Sequence, residues 1–128
     1  MPVSAMNHFT VLTEDLARTK AFYVELLGLR EGPRPDLGFP GAWLYAGESA
    51  VLHVVAGRPM PSEPRGVLDH MAFSATDLPA IARALRAQRI SYDLRRQPRT
   101  GVWQLFVIDP NGARVELAFE ADEPAPDA

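Results

Sequence analysis

Two stretches of this chain repeat one another: MNHFTVLTEDL (residues 6–16) and LDHMAFSATDL (residues 68–78). Placed in register, His8 falls on His70, Asp15 on Asp77 and Leu16 on Leu78, each at an offset of 62 residues. Internal duplication constrains a fold strongly, because whatever the first copy builds the second must build again. Each copy opens with a short strand-like run, Phe9–Leu12 or Met71–Ala75, and then changes to a helical period.

The first helix is expected over residues 14–27, with Leu16, Tyr23 and Leu27 on one face and Gly28 as its stop. The second is expected over 77–88. Leu78, Ile81, Ala82 and Leu85 form its apolar face, Thr76 is a candidate N-cap, and Pro79 sits in the tolerant first turn. Three strand-like runs follow each helix: 29–32, 42–46 and 50–55, then 91–95, 103–108 and 113–119. DPNG (109–112) is a hairpin turn signal between the last two. The chain therefore reads as two βαβββ units in one α+β domain, 6–56 and 67–119. A Pro- and Gly-rich linker (57–66) joins them, and the acidic, Pro-rich tail 120–128 is expected to be disordered.

At 128 residues the chain has the size of one domain, and 47% hydrophobic content is enough for a core without staples. There is no cysteine, so disulfides, Cys zinc sites and thiol nucleophiles are excluded. A net charge of −3 offers no field for nucleic acid or an anionic membrane. No apolar run approaches the ~20 residues of a membrane span. The N-terminus lacks the basic and apolar regions of a signal peptide, so the chain reads as cytoplasmic, acting on a small molecule.

The chemistry lies in the polar residues of the repeat. His53 stands inside the apolar run AVLHVV, and Glu116 inside ARVELA, at an offset of 63. His8 pairs with His70 in the same way, so all three histidines of the chain occupy repeat-related positions on expected strands. Buried without partners, such groups cost free energy. Three imidazoles and a carboxylate are the donors of a divalent-metal site. The competing reading makes each a satisfied structural residue, and the pairing by repeat favours the metal.

The segments 6–29, 68–78 and 106–119 carry a resemblance to the vicinal oxygen chelate superfamily, which includes glyoxalase I, extradiol dioxygenases, methylmalonyl-CoA epimerase and fosfomycin- and bleomycin-resistance proteins. The resemblance implies an open, cup-shaped mixed sheet built from the two βαβββ units, and it places metal ligands on His8, His53, His70 and Glu116. It implies Ni, Zn, Co, Mn or Fe(II) as cofactor, and a homodimer as assembly.

Leu12 and Gly57 stand where glyoxalase I carries glutathione-holding Arg and Asn, which speaks against a glutathione substrate. Phe106 replaces the tyrosine of the dioxygenase signature, residues 95–104 contain no histidine, and His53 adds a fourth ligand where dioxygen chemistry wants an open position. The expected activity is therefore that of a glyoxalase- or epimerase-like lyase or isomerase. Its substrate would present adjacent oxygens, an enediolate or enolate would form, and Glu116 would be the base. An Fe(II) extradiol dioxygenase and a non-enzymatic, bleomycin-resistance-like binding protein are the alternatives. Phe39, Trp43, Tyr45 and Trp103 are candidate walls for an apolar substrate and Arg96 and Arg99 for an anionic group, while Arg58 and Arg65 read as exposed linker.

Overall fold

A computed structural model describes residues 2–127. The described residues divide into two compact units, with the boundary between Ser62 and Glu63. Among them, no helix is long and apolar enough to cross a membrane.

The first unit runs β1 (Phe9–Thr13), α1 (Leu16–Lys20), β2 (Arg30–Gly32), β3 (Gly41–Ala46) and β4 (Ser49–Ala56). The second repeats it as β5 (Met71–Ser74), α2 (Leu78–Ala87), β6 (Tyr92–Arg96), β7 (Trp103–Ile108) and β8 (Arg114–Phe119). Each forms a four-stranded mixed sheet, ordered β1-β4-β3-β2 and β5-β8-β7-β6. The first strand of each unit pairs parallel with the last, and the other pairings are antiparallel. This is the expected α+β architecture of two βαβββ units. The register repeats too: Thr10 pairs with His53 where Ala72 pairs with Glu116, and Trp43 faces His53 where Phe106 faces Glu116.

Strand alternation explains where the cores lie. Successive side chains point to opposite faces. In β3 and β4, Ala42, Leu44, Leu52 and Val54 are buried, and α1 packs against these two strands. In the second unit Leu105, Val107, Val115, Leu117 and Phe119 are buried with Leu78, Ala82 and Leu85 of α2, whose i, i+4, i+7 spacing makes one helical stripe.

Both helices begin on an aspartate. The Arg18 N–H donates to Asp15 Oδ1 (3.0 Å), and the Ala80 N–H donates to Asp77 Oδ1 (3.3 Å). The cap of α2 is thus Asp77 and not Thr76; Asp77 adopts a left-handed conformation (φ 64°) that Asp tolerates. The first helix is shorter than 14–27 and changes character: after Lys20, residues Ala21–Leu26 form π-helical turns. The wider turn lets the adjacent Phe22 and Tyr23 both be buried, with their rings edge to face at 5.1 Å. The stop is as expected. Gly28 (φ 86°) takes the left-handed position and its N–H bonds Val24 O, which is an αL ending, while the Leu29 N–H reaches Tyr23 O across the widened turn.

The tail departs from expectation. Residues 120–127 are not disordered but dock on their own unit. Glu123 accepts from the Asp77 and Leu78 N–H groups (2.8 and 3.0 Å), and the Trp103 indole N–H donates to Glu123 O (3.0 Å). Arg96 holds Ala121 O (2.7 Å), and Arg86 reaches Asp127 O. Composition alone suggested disorder, but the first turn of α2 has orphan N–H groups that a carboxylate satisfies.

Candidate functional site

The four candidate ligands occur as two repeat-related pairs, one in each unit. In the first unit, alternation turns His53 away from the core, onto the face it shares with its cross-strand neighbour Trp43. The three rings His8, His53 and Trp43 form a stack. The His8 and His53 centroids are 3.7 Å apart at 13°, and those of Trp43 and His53 are 4.1 Å apart at 11°. The pKa of His53 is lowered from 6.5, first by burial, then by the charge of His8 and, less, of Arg34, while a backbone contact with Ala50 opposes the shift. A lowered pKa keeps the imidazole neutral, the form that binds a metal.

In the second unit, Glu116 is buried (8% exposed) on the face of β8 opposite Val115 and Leu117. His70 Nε2 lies 3.0 Å from Glu116 Oε1, and the Gln104 amide donates to Glu116 Oε2 (3.4 Å). Phe106 meets the His70 ring edge to face at 5.5 Å.

Both strand-opening histidines differ from expectation in one respect. His8 and His70 are exposed and precede β1 and β5, so burial does not force a partner on them. What holds them is the residue before. His8 Nδ1 bonds Asn7 Oδ1 (2.7 Å), and His70 Nδ1 bonds Asp69 Oδ2 (2.7 Å), with Arg114 on the same Asp69 oxygen (2.9 Å). The hydrogen bond to His70, first, and then the charge of Arg114 hold the Asp69 carboxyl below its usual 3.8. Asn7 and Asp69 stand at the same offset of 62 as the histidines. The aligned pairs NH and DH carried this signal, and the sequence reading passed over it.

The donors suit a divalent cation chemically. Imidazoles with Nδ1 engaged point Nε2 outward, in His70 onto Glu116 Oε1, and outer partners present metal-binding histidines in the same way. The 3.0 Å between His70 Nε2 and Glu116 Oε1 is the spacing of two donors whose bonds of about 2.1 Å meet near a right angle. Among the described residues no three His, Asp or Glu side chains gather on one point, so the donors are seen as pairs.

The expected walls divide. Trp43 and Phe39 line a cavity in the first unit, whereas Tyr45 bonds Pro33 O, and Trp103 packs under Arg96 and holds the tail. Arg96 is engaged by Gly101 O and Ala121 O rather than offered to a ligand. Arg58 is exposed, as expected, but lines the same cavity as Phe39, together with Arg34, which the sequence reading did not single out.

Comparison with known proteins agrees with this architecture. Residues 5–117 match the model of the Glyoxalase/Bleomycin resistance protein/Dioxygenase superfamily. The chain is 26% identical over 123 residues to "Glyoxylase I 4" of Arabidopsis thaliana, covering 90% of this chain and 70% of that protein. It superposes on a glyoxalase family protein from Bacillus anthracis with a TM-score of 0.74 at 24% identity, covering 92% of this chain and 96% of that one. A glyoxalase family protein from Enterococcus faecalis gives a TM-score of 0.66 at 30% identity, covering 92% and 99%. With its repeated βαβββ units and more than a hundred matched residues, the chain belongs to the glyoxalase, bleomycin resistance protein and dioxygenase superfamily.

Proposed function

We propose that this protein is a divalent-metal-dependent enzyme of the vicinal oxygen chelate type, a lyase or isomerase that moves a proton beside a carbonyl group of a small substrate with adjacent oxygens. Its candidate donors are His8 with His53 in the first unit and His70 with Glu116 in the second. The observation that carries the reading is the matched presentation of the two strand-opening histidines, each with Nδ1 tied to the preceding side chain at 2.7 Å.

When bound, the cation supplies Lewis-acid polarisation of a substrate oxygen. The chain's own residues do the rest. Glu116 is the base: its two oxygens are held by His70 and by the weaker, 3.4 Å contact from Gln104, so one can turn to a substrate proton while the other stays anchored. Asp69 orients His70, and Arg114 in turn orients Asp69. The near-parallel Trp43 ring fixes the plane of His53. A homodimer acting in the cytoplasm is part of the same reading.

The test is elemental analysis of the purified, untagged protein, followed by a substrate screen with and without oxygen. About one transition metal per chain is expected, with weakened retention in His53→Ala. Glu116→Gln is expected to lower turnover by about 10²- to 10⁴-fold. Failure to take up Fe(II), Ni or Zn on soaking would sink the reading. Activity that needs both Fe(II) and oxygen would replace it with the dioxygenase.

A further inference from the structure

The loop from 33 to 40, between β2 and β3, holds a guanidinium in place. Arg34 donates from Nη2 to Phe39 O (3.0 Å) and lies 5.0 Å from the Phe39 ring centroid. Arg58, just after β4, lies 5.7 Å from the centroid of the same ring. Both line a cavity of about 360 Å³, with Thr10, Phe39, Trp43 and His53 among its other walls.

The cavity is positive and uncompensated. No carboxylate lines it, and among the described residues neither arginine forms an ion pair. Arg34 Nε is buried without a hydrogen-bond partner. The chain as a whole is acidic, at −3, so two unpaired cations in one cavity are a local feature. A partly desolvated guanidinium without a counter-charge is costly unless something brings one.

The backbone makes room for this arrangement. A Cβ on Gly41 would collide with Val54 O and press on Arg34 at 3.0 Å from Nη2 and 3.3 Å from Cζ. Gly41 therefore lets β3 close on β4 while the guanidinium lies across its start.

We propose that this cavity receives the anionic end of a small substrate, with Arg34 and Arg58 taking its carboxylate or phosphate oxygens and the Trp43 and Phe39 rings packing on its apolar body. Guanidinium forks fit both oxyanions, and Arg34 is already fixed, so little freedom is lost on binding. The anion contact stands on the cavity alone; only its meaning as part of a substrate site beside His53 rests on the metal reading above.

The test uses the full chain stripped of metal by a chelator. Benzoate, phenyl phosphate and benzyl alcohol are titrated by calorimetry at low salt. Trp43 emission is followed in a Trp103→Phe variant to locate the ligand. Either anion is expected to bind at least about tenfold more tightly than the neutral alcohol, and Arg58→Ala to lose about tenfold. The tighter of the two anions tells carboxylate from phosphate. Equal binding of anions and alcohol, no binding of any of them, or indifference to Arg58→Ala would each overturn the proposal. Arg58 is exposed and makes no hydrogen bond among the described residues, so its removal leaves folding intact. Because no metal is present, a negative result leaves the metal reading intact, and a chain without metal leaves this result intact.

Discussion

His53 looked anomalous in a run of valine, leucine and alanine, and period-two alternation accounts for it. Its neighbours Leu52 and Val54 enter the core, while its own ring stacks between His8 and Trp43. Burial, followed by the charge of His8, lowers its pKa from 6.5. The folded chain then holds that proton less well than the unfolded chain. The stabilising contribution is full above about 6.5 and is lost as pH falls through the lower folded value. An NMR titration of the metal-free protein should place the His53 midpoint below 6.5, and His53→Phe should lose less stability than the wild type between neutral and mildly acidic pH. Asp69 is a second test at this scale. Its bond to His70 Nδ1 is a positioning contact, so Asp69→Ala should weaken metal affinity about 10- to 100-fold in a chelator competition without unfolding the chain. The histidines and Glu116 were legible because the repeat paired them. Arg34 was not, because only the folded loop brings it against Phe39.

At the scale of elements, the helices and strands followed their periodicity, and the departures occur where one segment meets another. The π-helical turns at Ala21–Leu26 come from seating both Phe22 and Tyr23 against the sheet, a demand no local propensity expresses. The cap of α2 was written in the sequence, since Asp77 aligns with Asp15, yet the second partner of that helix end lies over forty residues away. Glu123 receives the N–H groups of Asp77 and Leu78. Glu123→Ala should cost about 1 kcal/mol and lower the thermal midpoint by several degrees in a melt. Charge on the carboxylate matters as well as hydrogen bonding, so Glu123→Gln should recover only part of the loss.

For the whole molecule, two units repeat one topology, and the chain between them is exposed over residues 61–70. Val67 and Leu68 have no cover among the described residues, at 104% and 70% exposure. Limited trypsin digestion should cut first after Arg65, within that run, because Arg58 is followed by Pro59. Mass spectrometry of the fragments checks this, and a parallel digest with a protease that cuts after glutamate tests the tail: early cleavage after Glu120 or Glu123 would mean that its docking is weak.

The sequence by itself determined the duplication, the βαβββ order of each half and the pairing of His8 with His70 and of His53 with Glu116. Those depend on spacing along the chain: a period of two or 3.6, an offset of 62 or 63, a glycine or aspartate at a helix end. Tertiary structure decided the rest. It turned His53 out of the core, left His8 and His70 exposed but tethered through Asn7 and Asp69, docked an acidic tail on a helix N-terminus, and gathered Arg34, Phe39 and Arg58 around one cavity. The two tethers join sequence neighbours and were written in the pairs NH and DH; each of the others depends on a contact between residues whose separation no local pattern encodes. They arise because orphan N–H groups and ring faces find partners only once the strands have paired.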